Sequence, residues 1–238
     1  MGMVQRKKPL EAAEKFIQEK FPHCQGALLA GSVVRGEATA TSDLDIVIFD
    51  KTLPSSYRES LVFLEWPIEI FVHNLTSYQY YFDLDCKEAT PSMPKMVSEG
   101  IVIRDEGIIN SIKDEANAIL QRGPEKWSDE TIRTKRYFIT DVLDDFEGCQ
   151  NRGEGIFIAN TLARLTHEFV LRTNGRWIGE SKWIIRALKQ FNEPFTDEFV
   201  QAFDDYYTSG NKNNIVRLID KVLEPYGGRL FDGFSLGK

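Results

Sequence analysis

The apolar positions follow two different rhythms along the chain. Between residues 26 and 103 they come in short runs: Ala27-Leu28-Leu29-Ala30, Ile46-Val47-Ile48-Phe49, Leu61-Val62-Phe63-Leu64, Ile68 to Val72, and Ile101-Val102-Ile103. Such runs, bounded by turn residues and rich in β-branched side chains, predict strands. The third and fourth runs are separated by Glu65-Trp66-Pro67 and predict a hairpin. Around them, Pro9 to Lys20 carries Leu10, Ala13 and Ile17 at helical spacing, with proline in the first turn, and Pro22 ends it. A short helix is expected over 32–36 and a loop over 51–56. Residues 76 to 83 predict an aromatic-rich helix with Tyr78, Tyr80, Tyr81 and Phe82 in the core. Gly100 reads as the stop of a helix over 95–100.

From about residue 107 the strand signal ends and stripes at three- and four-residue spacing take over. They predict helices over 108–121, from the Ser128 cap to Phe146, over 156–173 with a stop at Asn174-Gly175, over 182–191, from a Thr196 cap to Tyr206, and around Ile215 to Val222. Each has one apolar stripe, so the helices must pack on one another as a bundle. The expected class is α+β: a small mixed-sheet domain over 1–106, followed by an all-α helical bundle domain over 107–238.

Composition narrows the functions. The chain has 238 residues, 42% hydrophobic and 27% charged, with a formal net charge of −7. That charge speaks against nucleic acid as a partner, which calls for a basic footprint. It suits a cationic small molecule. No apolar run reaches the ~18 residues of a membrane span. Met1 to Pro9 is basic without an apolar signal segment, and Cys24, Cys86 and Cys149 match no metal spacing, so a reducing cytoplasm is the expected location. His23, His73 and His167 have no partner spacing that suggests a role.

The chemistry concentrates in residues 31 to 50. Asp43 and Asp45, two apart at the start of a strand, project to one face. Two carboxylates so placed repel unless they share a proton or a cation. Their oxygens suit magnesium, which keeps phosphate oxygens among its ligands. Upstream, Gly31 allows close backbone approach, and Ser32 opening a helix would leave N–H groups for phosphate. Arg35 reads equally as a triphosphate contact or a surface arginine. Asp141, Asp144 and Asp145 share one helix face, either solvated or gripping a cationic acceptor.

Gly-Ser, a spacer, then Asp-x-Asp on a strand resembles the signature of the DNA polymerase β-type nucleotidyltransferase superfamily. The resemblance implies a third carboxylate on a neighbouring strand, and Glu69 supplies it, alternating with Ile68, Ile70 and Val72. It further implies Mg2+ held by Asp43, Asp45 and Glu69, an NTP such as ATP as co-substrate, and Gly31, Ser32 and Ser42 at its phosphates. Glu69 would be metal ligand, proton acceptor or both. Thr161 to Trp183, with Ala202 to Tyr206, resembles the helical domain of the streptomycin and spectinomycin adenylyltransferases. That family places a lysine and a tyrosine on the ATP phosphates, matched here by Lys182 and Tyr206, with Tyr207 competing. The expected function is transfer of a nucleoside monophosphate to a hydroxyl of a small acceptor, an aminoglycoside for example, in the interdomain cleft, with release of pyrophosphate. Adenylylation of a protein partner, as in toxin–antitoxin pairs, and a non-catalytic nucleotide-binding regulator are the alternatives.

Overall fold

A computed structural model describes residues 6–237. Met1 to Gln5 of the basic N-terminal segment, and Lys238, lie outside the described residues. The chain is α+β and divides into two compact units, one up to Arg122 and one from Gly123.

The first unit holds α1 (Pro9–Lys20), β1 (Gly26–Ala30), β2 (Leu44–Phe49), β3 (Tyr57–Phe63), β4 (Trp66–His73), α2 (Ser77–Glu88), α3 (Ser92–Glu99), β5 (Ile101–Asp105) and α4 (Ile109–Arg122). Its sheet has the order β3-β4-β2-β1-β5. β2 and β4 run parallel and the other neighbours antiparallel, so the sheet is mixed. β1 and β2 are buried on both faces, which is why they read as continuous apolar runs rather than alternations. Leu44, Ile46 and Ile48 pack with Ala13, Phe16 and Ile17 of α1. Val47 and Phe49 face the other way, onto Phe82 of α2, Val97 of α3 and Ile112 of α4.

Several local differences from the sequence reading have physical causes. Residues 33–36 form a turn, closed by Glu37 N–H donating to the Ser32 carbonyl at 2.9 Å, and not a helix. β3 begins at Tyr57, four residues before the apolar run, because it is an edge strand whose early residues are exposed. The hairpin turns at Leu64-Glu65, both with positive φ (48° and 66°), so Trp66 and Pro67 belong to β4. Of the α2 aromatics, Tyr78 and Phe82 are buried but Tyr80 is 65% exposed. Gly100 is extended (φ −60°) and does not end α3 by a left-handed turn. A Cβ there would stand 2.8 Å from the Met96 carbonyl and 3.0 Å from Leu28 Cβ, so close packing demands the glycine. The break between units falls at 122/123 rather than near 106. Ile109, Ile112 and Ala116 of α4 bury against the sheet unit's own core, and Asp105 caps α4 by accepting from the N–H groups of Gly107, Ile108 and Ile109.

The second unit is helical: α5 (Asp129–Gly148), α6 (Arg152–Thr173), α7 (Lys182–Phe191), α8 (Glu193–Ser209) and α9 (Asn213–Leu223), with one 3₁₀ turn over Glu224–Tyr226. Leu143, Phe146, Leu162, Phe169, Phe199 and Leu218 are central to its core. Ser128 caps α5 by accepting from Thr131 N–H at 3.1 Å. α6 starts four residues earlier than its stripe, because Asn151 accepts from the N–H groups of Gly153 and Glu154. α8 is capped by Asn192 and not by Thr196, whose hydroxyl is buried and donates back to the Asn192 carbonyl. Beyond the last helix the chain lies along α5. Arg136 donates to the Gly228 carbonyl, Leu230 N–H donates to Thr140, and the Phe234 ring stacks on Tyr137 at 3.9 Å.

Candidate active site

The parallel register of β2 on β4 sets Asp45 directly beside Glu69, and the antiparallel register sets Ala30 on Asp45's other side. Asp43 stands two residues before Asp45, at the entrance to the strand. One oxygen from each of Asp43, Asp45 and Glu69 lies within 4.8 Å of the other two, and all three residues are half-buried. Gly31 closes the back of this cluster. Its φ is +79°, and any Cβ there would overlap the Asp45 carboxylate. The glycine is thus needed twice, for its backbone and for its missing side chain.

Burial, then Asp43, then Glu69 raise the pKa of Asp45 to about 6, against the opposing pull of Arg35 and Arg58. Arg58, on the edge strand, donates to Glu69 Oε1 from Nε at 2.8 Å and pairs its Nη2 with the same oxygen at 2.6 Å, and Ser60 adds a hydroxyl at 3.3 Å. Arg35 reaches Glu37 at 3.1 Å and Glu99 at 3.2 Å. Ser32 donates to Ser42 Oγ at 3.3 Å, and Ser42 Oγ accepts from Thr39 N–H at 2.8 Å. The turn from Gly31 to Ser42 thus brings both serines together. With residues 33–36 in a turn, no helix dipole backs Ser32, and any phosphate contact there falls to the turn's own N–H and hydroxyl groups.

The donor set fits a hard divalent cation: three carboxylates, no sulfur, no imidazole. Mg2+ takes oxygens at 2.0–2.1 Å, so opposite ligands stand ~4.2 Å apart. Small side-chain rotations bring oxygens within 4.8 Å to that spacing. The raised pKa of Asp45 is the other sign of a cluster short of positive charge.

In the second unit, Lys182 is exposed at the first position of α7. Tyr206 is 2% exposed, packed edge-on to Phe146 at 4.8 Å, with the Arg152 guanidinium over its ring at 4.6 Å. It continues the core stripe of α8, so the role of nucleotide contact does not suit it, whereas Tyr207 is 41% exposed. The acidic face of α5 is met from within: Arg229 pairs with Asp144 and Glu147 as well as Asp220. Sequence reasoning missed Arg58, whose only signal was its place in a weakly alternating, exposed edge segment.

The mixed sheet gathers behind a glycine turn three acids whose oxygens are close enough to share a cation. Residues 10–77 match the family model described as "Nucleotidyltransferase domain", a domain type of the polymerase β-like superfamily. Among solved structures, the chain is similar to a nucleotidyltransferase-like protein from Exiguobacterium sibiricum 255-15. The identity is 10% and the TM-score 0.49, over 91% of this chain and 74% of that one. No curated protein matches it in sequence.

Proposed function

We propose that the chain transfers a nucleoside monophosphate, AMP from ATP, to a hydroxyl of a small acceptor and releases pyrophosphate. The observation that carries this is the convergence of Asp43, Asp45 and Glu69 within 4.8 Å on adjacent parallel strands, inside a nucleotidyltransferase domain. Asp43, Asp45 and Glu69 are the proposed ligands of Mg2+. Bound there, the ion would neutralise charge on the triphosphate and on the departing pyrophosphate.

The chain's own groups do the rest. The acids fix the position at which the α-phosphorus is attacked, and the missing side chain of Gly31 leaves the Asp45 carboxylate its place among them. The N–H groups of the 31–42 turn, with the Ser32 and Ser42 hydroxyls, hold the terminal phosphates. Arg58 holds Glu69 in place through a hydrogen bond and an ion pair. The acceptor oxygen forms its bond to the α-phosphorus as the bond to the pyrophosphate oxygen breaks. The acceptor proton passes to Glu69 or to water. Lys182 is proposed as a cation for the β- and γ-phosphates. A net charge of −7 supports a cationic acceptor of the aminoglycoside kind over a polynucleotide.

The test is to incubate the chain with α-labelled ATP and Mg2+ against a panel of aminoglycosides and a small-molecule cell extract. Label should appear on a small molecule and vanish with Asp45→Asn. Label on a protein band would favour the toxin–antitoxin type of acceptor. ATP left intact under every condition would reject the reading.

A further inference from the structure

The first unit holds a second feature on the face of the sheet that carries the acids. A cavity of about 220 Å³ lies beside β4, beyond Glu69. Phe71 and His73 follow Glu69 at two-residue steps, so the three side chains leave the same face. Phe71, Tyr57 and Tyr81 give the cavity aromatic walls and Met96 a soft one. Tyr57, at 39% exposure, stands at the mouth. Arg58 joins cavity and acid cluster. Its guanidinium lines the cavity, covers the Phe71 ring at 4.8 Å and pairs with Glu69.

His73 makes this more than a packing fault. It is 4% exposed and lines the cavity, yet neither ring nitrogen has a hydrogen-bond partner among the described residues. A buried polar group left unpaired costs stability that a partner would restore. Burial pushes its pKa down to about 4, so the ring is neutral near pH 7, with one nitrogen donating and one accepting. The Tyr81 ring meets it edge-on at 5.1 Å and fixes its plane.

The geometry points to a binding site for a flat, uncharged heteroaromatic ring of nucleobase size, stacked against the aromatic walls and hydrogen-bonded to His73. Aromatic walls stack on any base face, and a neutral imidazole reads the polar edge. Arg58 and Asp85 both line the cavity, so its charges offset one another and neither a cation nor an anion is favoured over a neutral ring. Two sources supply such a ring: the base of the nucleotide itself, or a separate heteroaromatic molecule. For the first source the site rests on the nucleotidyl-transfer reading; for the second it stands alone.

The experiment uses the full chain with ¹⁵N-labelled histidine rings, titrated with adenosine, benzimidazole and ATP. The expected result is a saturable shift of the His73 ring nitrogens with at least one of these probes. His73→Phe should weaken that binding about threefold to tenfold, the scale of one neutral hydrogen bond. Should that variant fail to fold, Met96→Trp, which fills the cavity from its rim, is expected to abolish the shift. ATP displacing benzimidazole assigns the site to the nucleotide's base, and simultaneous binding assigns it to a separate molecule. His73 nitrogens unmoved by all three at millimolar concentration overturn the site, as does unchanged affinity in His73→Phe. No readout needs turnover, so this failure and a failure of AMP transfer are told apart.

Discussion

Replacing Asp45 with Asn should stabilise the protein while removing its proposed chemistry. The metal-free fold holds this carboxyl with a pKa of about 6, from an ordinary value of 3.8. Below the unfolded value the carboxyl is protonated in both states and costs nothing. As pH rises through about 6, the folded state must also ionise it, against burial and against Asp43 and Glu69, and that stability is lost. A shift of about two pKa units, at ~1.36 kcal/mol each, amounts to about 2–3 kcal/mol at pH 7.5. Asn keeps the shape and escapes this cost. Urea unfolding without metal, at pH 4 and pH 7.5, measures it. The variant should exceed wild type by about 2–3 kcal/mol at pH 7.5, and the gap should close towards pH 4. Added Mg2+ should stabilise wild type more than the variant, since a ligand of the native state stabilises by mass action. Equal stability at pH 7.5, or a gap that persists at pH 4, would refute the account of strained charge at this site.

Three other outcomes follow from the same structure. Gly31→Ala adds a methyl in a left-handed conformation against Asp45; it should cost about 1–2 kcal/mol in backbone strain alone and abolish nucleotidyl transfer, read by urea unfolding and label transfer. Gly155→Ala would drive a Cβ into the Tyr206 hydroxyl; an overpacking cost of about 1–3 kcal/mol should appear as a lower urea midpoint. Lys182→Ala should weaken ATP binding about tenfold to hundredfold, the loss of a hydrogen bond to a charged group; an unchanged affinity by calorimetry returns Lys182 to the surface.

Asp43 and Asp45 were legible because strand alternation is a local rule, two residues apart meaning one face; that Glu69 joins them was implied by the resemblance, since the pairing of β2 with β4 is not local. The buried strands were legible for a different reason: burial on both faces makes them short continuous apolar runs. The turn at 32–36 was not, because Ser-Val-Val-Arg carries no strong breaker until Gly36. Leu64-Glu65 hid the hairpin turn, since positive φ is the habit of Gly and Asn rather than of these residues. Tyr206 and Tyr207 are adjacent in sequence, and only helix phase sends one to the core and the other outward. His73 reads as an ordinary strand residue; its ring's neighbours Phe49 and Tyr81 and the cavity wall at Met96 come from other elements, and only the fold brings them together.

The segment laid along α5 has a consequence for synthesis. Leu230 reaches Thr140 across 90 residues of sequence. On a ribosome, α5 is therefore complete well before the strap that covers it. Until Phe231 and Phe234 arrive, the Tyr137 ring lacks both of the rings that stack on it, and the Thr140 hydroxyl has no amide from Leu230 to accept. A chain halted or clipped near Gly227 would display an aromatic stripe on an otherwise finished bundle. Such a surface invites self-association and chaperone capture, so the segment from Gly228 to Phe234 acts as a cover for α5.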